Sequence, residues 1–145
     1  DVSGPPNREP AAESAVSTAS DYARFSQMLL NGGQLDGVRL VSRSTVRLMT
    51  ADHLGTVLTA APAPSELLLR TPGYTFGLGF AVRTHSGRNP LPGSVGDFSW
   101  SGVTGTYFWI DPKQELIAIL LTQAPVQRLH YRYLMRTMVY QAIVA

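Results

Sequence analysis

The chain has 145 residues, 44% hydrophobic and 15% charged, with a formal net charge of +2 and no cysteine. That length suits about one domain with a core of its own, and the lack of Cys excludes disulfides, thiolate metal sites and a Cys nucleophile. No window approaches the roughly 18 to 20 apolar residues of a membrane-spanning helix, and the basic residues, spread from Arg8 to Arg136, lack the one-sided clustering a nucleic-acid surface needs.

Residues 1–16, DVSGPPNREPAAESAV, are rich in Pro and Ala and lack periodicity, so they are expected to be a linker or a severed connection, with the domain running from 17 to 145. A first residue of Asp rather than Met points to a fragment or a processed product, which leaves the compartment unknown. Ser17-Thr18 then offers an N-cap, Asp21 favours the positive helix end, and Tyr22, Phe25, Met28 and Leu29 recur at helical spacing. Asn31-Gly32-Gly33 closes that helix, predicted over about 19–31, in a left-handed cap. Asp36-Gly37 makes a turn between short apolar groups, and Ser42 caps a second helix that runs to about Met49.

The stretch from Ala51 to Pro72 holds three prolines and reads as a long surface loop. Tyr74 to Val82 alternates at period two, which predicts one strand with Tyr74, Phe76, Leu78, Phe80 and Val82 on a single face. Gly77 and Gly79 leave the opposite face low, so a helix can pack close. His85 to Pro92 forms a loop before the returning strand, Val95 to Trp100. A hairpin follows, with arms Thr106 to Ile110 and Leu116 to Leu121 around Asp111-Pro112-Lys113-Gln114-Glu115. Its second arm is apolar without alternation, which predicts two covered faces and an interior place in the sheet. After Pro125, Leu134, Met138, Val139, Ala142 and Ile143 recur at three- and four-residue steps, predicting a terminal helix over about 128–144 packed on the sheet by that stripe. The sum is an α+β domain, an antiparallel β-sheet flanked by helices.

Trp100-Ser101-Gly102-Val103-Thr104-Gly105-Thr106 puts two glycines and three hydroxyls at a strand edge, where backbone N–H groups can face a ligand with no Cβ in the way. This segment resembles the third motif of the serine β-lactamase and penicillin-binding-protein group, Lys-Thr-Gly, in the Trp-x-Gly form found among esterases and class C β-lactamase-like hydrolases. Two further blocks are similar to the same group. One runs from Ser17-Thr18-Ala19 through Leu30-Asn31-Gly32-Gly33 to Met49-Thr50, although the group's usual Gly-rich run before Ser-Thr-Ala is replaced here by Ala11 to Val16; the other is the Tyr74 to Val82 strand.

The resemblance implies the C-terminal portion of the β-lactamase/transpeptidase-like fold. It implies that Val103 N–H is an oxyanion-hole donor, that Trp100 shapes the acyl pocket, and that Gly102 and Thr104 line the substrate site. Ser101 either donates to substrate or is a strand-edge hydroxyl satisfied by backbone. Trp100 cannot supply the charge that Lys gives a substrate carboxylate, which favours small ester or amide substrates.

Acyl transfer in this group also needs Ser-x-x-Lys and Tyr-x-Asn. Neither occurs, since the one lysine, Lys113, follows Ile110 by three, and no Gly-x-Ser-x-Gly elbow is present. The group's order puts both motifs upstream, so the missing N-terminal part of the same protein is the first expected partner, and this chain alone is expected to be inactive. Removal of that part leaves a sheet edge open, and self-association through it is expected. The rival reading is a non-catalytic binding or regulatory domain that retains the fold. No cofactor is expected, because His53, His85 and His130 stand apart without metal-ligand spacing.

Overall fold

The computed structural model describes residues 16–55 and 72–144. The expected linker, except Val16, and the greater part of the expected loop lie outside the described residues. Helix α1, Ala19–Leu30, starts at Thr18, whose side chain accepts from Asp21 N–H at 3.1 Å. It ends as the sequence implied: Gly32 N–H bonds Leu29 O at 2.9 Å and Gly33 N–H bonds Met28 O at 2.8 Å, a Schellman closure that needs the left-handed backbone of Gly32 at φ 69°. Strands β1, Gln34–Leu35, and β2, Val38–Arg39, form the small hairpin around Asp36-Gly37. Helix α2, Arg43–Met49, is capped by Ser42.

The main sheet has five antiparallel strands in consecutive order: β3, Tyr74–Phe76; β4, Ala81–Arg83; β5, Phe98–Ser101; β6, Tyr107–Asp111; and β7, Leu116–Leu120. Helix α3, Arg128–Gln141, closes the described chain. Alternation along the strands sorts side chains between two layers. Phe98, Phe108 and Ile110 join Phe80, Val82, Met28, Leu29 and Val46 under α1 and α2. Tyr107, Trp109 and Ala118 face the other way, against Met135, Val139 and Tyr140 of α3. Each fully buried aromatic or branched side chain contributes about 1.5–3 kcal/mol, so this two-layer burial is what holds the sheet between its helices.

Three expectations need correction. Tyr74 to Val82 is not one strand: Gly77 N–H bonds Phe80 O at 2.8 Å, and the chain turns back through Gly79 at φ 89°. Tyr74 therefore packs with Ala81 rather than beside Phe80 and Val82, and Leu78 is exposed. The close approach of a helix is real, but at Gly77 alone: a Cβ there would run into Met49 O at the end of α2, whereas one at Gly79 would meet nothing.

Strand β7 has both faces covered, as its composition required. Among the described residues, however, it is an edge strand and not an interior one. The third correction concerns α3, which ends at Gln141. Leu134, Met138 and Ile143 are exposed, while Arg132 and Arg136 are buried against the sheet.

Candidate active site

Strand β5 lies in mid-sheet, paired with β6 along its whole length. Its ladder with β4 stops earlier, at Ala81↔Ser99. Trp100 and Ser101 thus project past the end of β4. Trp100 is half-buried, its ring edge-on to Phe76 at 5.1 Å, and packs against the core beneath α1. Ser101, half-buried, is paired with Tyr107.

Gly102 to Gly105 then close a β-turn, with Gly105 N–H bonding Gly102 O at 3.2 Å. In such a turn the N–H groups of the two central residues, Val103 and Thr104, are not used by the turn itself. Both residues are exposed. The turn is fastened at each end: Gly102 N–H bonds Thr106 O at 2.9 Å, and Ala124 N–H bonds Thr104 O at 2.8 Å. A Cβ at Gly102 would meet Thr106 Oγ1, so a side chain there requires the Thr106 hydroxyl to rotate away. All five residues singled out from the sequence, Trp100 to Thr104, therefore form one continuous element at the sheet's end. A backbone N–H held on a fixed turn and outside the strand ladder is a geometry that can receive negative charge on an oxygen.

At the ends of β5 and β6 away from the turn lies a layer of buried charge with no signal in the sequence. Asp97 accepts from Arg136 Nη2, from Tyr74 OH at 2.8 Å, and pairs with Arg83 Nε at 3.0 Å. Burial pushes the Asp97 carboxyl up, while Arg136 and then Arg83 pull it down. Arg83 also caps Leu91 O at 3.0 Å, and Arg136 reaches Pro92 O at 2.8 Å and Tyr107 OH at 2.8 Å. Asp111, which the sequence placed in the hairpin turn, is the last residue of β6 and is wholly buried. It accepts from Tyr140 OH at 2.6 Å and from Ser94 N–H at 3.1 Å.

Arg132 Nη2 donates to the carbonyl oxygens of Gly102 and Thr106, the latter at 3.1 Å. Burial lowers the Arg132 pKa, with the charge of Arg128 adding to the effect. Between α3 and the sheet lies a cavity of about 20 Å³, lined by Ser99, Tyr107, Arg132 and Arg136 among others, which is room for about one water molecule. Ser99 Oγ and Arg132 Nε have no hydrogen-bond partner among the described residues.

The one lysine, Lys113, sits in the β6–β7 turn, past the end of β6 remote from Thr106. Among the described residues no His, Asp or Glu group is arranged to hold a metal ion.

The sequence profile of the Beta-lactamase family matches residues 1–135. The chain belongs to that family. It is 40% identical over 134 residues to protein Rv1367c of Mycobacterium tuberculosis, covering 85% of this chain and 32% of that one. Its fold is shared by EstCE1, a hydrolase with promiscuous acyltransferase activity, at a TM-score of 0.67 and 24% identity over 84% of this chain and 29% of that one. Simvastatin synthase (LovD) from Aspergillus terreus aligns at a TM-score of 0.60 and 20% identity, over 86% of this chain and 34% of its own. The chain spans about a third of the length of each of these proteins. Membership in the Beta-lactamase family agrees with the α+β architecture and with the three sequence blocks that suggested it.

Proposed function

We propose that this chain is the C-terminal part of a β-lactamase-related serine hydrolase that cleaves small esters or amides through an acyl-enzyme. It contributes the Trp100-Ser101-Gly102 strand end and the Val103 N–H. An upstream part of the same polypeptide contributes the nucleophilic Ser-x-x-Lys and the Tyr-x-Asn. The observation that carries this reading is the Gly102 to Gly105 turn, which leaves Val103 N–H outside the sheet ladder while pinning the backbone on both sides. As the substrate carbonyl becomes tetrahedral its oxygen gains charge, and one such donor is worth about 3–4 kcal/mol. Trp100 offers an apolar wall where the group's lysine would hold a carboxylate, so neutral acyl groups fit better than penicillin-like anions.

Turnover of a nitrophenyl ester and of nitrocefin tests this. The chain alone is expected to show none, and the polypeptide extended upstream through a Ser-x-x-Lys is expected to cleave the ester in preference to nitrocefin. Turnover intrinsic to the isolated chain would overturn the proposal. An upstream reading frame without that motif would favour the non-catalytic binding domain instead. The same upstream part would also complete the sheet at β7.

A further inference from the structure

The carbonyl oxygen of Gly102 and the N–H of Val103 belong to one peptide unit, and no cis peptide occurs among the described residues. In a trans peptide the C=O and N–H point in opposite directions. Whatever holds the Gly102 oxygen therefore aims the Val103 hydrogen. Two donors hold that oxygen: Gly105 N–H at 3.2 Å, within the turn, and Arg132 Nη2, from across the sheet.

Arg132 is 3% exposed, and its guanidinium lies over the Tyr107 ring at 5.8 Å. The same nitrogen reaches Thr106 O at 3.1 Å, the oxygen that also anchors Gly102 N–H.

Resting on the reading of Val103 as an oxyanion donor, we propose that Arg132 is a positioning residue that sets the direction and strength of the Val103 N–H through the Gly102–Val103 peptide. Direction follows from the plane: a cation fixed on the carbonyl stops the peptide from rotating, so the N–H stays turned away from α3. Strength follows from polarisation. Hydrogen bonds in series reinforce one another by about 10–30% per bond, and here the first donor is charged. Planarity matters as well, since a guanidinium held over the Tyr107 ring serves two carbonyls at once, whereas the flexible ammonium of Lys has no planar fork. A role confined to pinning α3 on the sheet would need no particular coupling to Val103.

The experiment has a spectroscopic arm and a kinetic arm. In the isotopically labelled chain, a through-hydrogen-bond scalar coupling is expected between Arg132 Nη2 and the Gly102 carbonyl carbon. Arg132→Met is expected to move the Val103 amide cross-peak and the Gly102 carbonyl resonance, with the Trp109 indole and Ile110 amide signals unmoved; Arg132→Lys is expected to restore part of the shift. In the polypeptide extended upstream through its nucleophile, Arg132→Met is expected to lower kcat by about 10- to 100-fold, below the 10²–10³ loss of a deleted donor, with KM nearly unchanged.

An unmoved Val103 cross-peak in Arg132→Met overturns the proposal. So does absence of the scalar coupling in the unsubstituted chain, which decides the matter if the variant fails to fold. A Val103 cross-peak that moves while kcat holds would instead sink the oxyanion reading of Val103, and the catalytic role of Arg132 with it.

Discussion

Asp97 shows at the scale of one residue what sequence reading misses. It is fully buried, and two guanidiniums that are 3% and 1% exposed, Arg83 and Arg136, converge on it. Replacing such an arrangement wholesale with apolar residues can be nearly neutral, but removing one partner strands a charge in the interior. Asp97→Asn leaves both arginines buried against a neutral amide and is expected to cost about 3–5 kcal/mol, a large share of the roughly 5–15 kcal/mol that keeps a domain folded. The control is Asp36→Asn, which breaks the Arg24–Asp36 pair, 61% and 62% exposed, and is expected to cost less than about 1 kcal/mol. Urea unfolding of both variants checks this; equal midpoints would mean that the buried cluster is not what holds α3 to the sheet.

At the scale of elements, local chemistry was legible and distant pairing was not. Thr18, Asn31-Gly32-Gly33, Asp36-Gly37 and Ser42 all do what their residue types imply, because caps and turns are settled within a few residues. Arg132 was not legible, since the carbonyl it holds lies 30 positions away, nor was Arg136, whose carboxylate is 39 positions away. Those long-range bonds redraw the helix's buried face: Arg132 and Arg136 go inward beside Met135 and Val139, while Leu134 and Met138 go outward.

Period two in Tyr74 to Val82 misled because alternation continues through a tight turn as readily as along a strand. The turn itself depends on Gly77. Leu78 N–H bonds Met49 O at 2.9 Å, and that same oxygen occupies the place of a Gly77 side chain. Gly77→Ala must push α2 off the hairpin and is expected to cost about 1–3 kcal/mol, as overpacking does. Gly79→Ala carries only the strain of a left-handed backbone and is expected to lose less in a thermal melt. The reverse order would show that conformation rather than space demands the glycines.

For the whole molecule, the open edge of the sheet at β7 is the consequential feature. Strand β7, Leu-Ile-Ala-Ile-Leu, has β6 on one side and no described strand on the other. An edge of this composition, with no charge, Pro or bulge to guard it, is a template for pairing with another strand. Leu121, just beyond it, is 56% exposed, and on α3 Leu134 and Met138 are 47% and 59% exposed. If an upstream part of the polypeptide adds a strand at β7, as proposed, the isolated chain lacks that cover and two copies can substitute for it. Light scattering of the chain is expected to show a mass that rises with concentration, and Ile119→Lys is not a usable probe because Ile119 packs against the core. Gln123 and Leu121 are better placed. Leu121→Lys puts a charge beside the edge without emptying the interior, and it is expected to return the chain to monomer while leaving its melting temperature within a few degrees. A chain that stays monomeric at high concentration without any substitution would mean that β7 needs no partner, and the upstream part would then have to dock elsewhere.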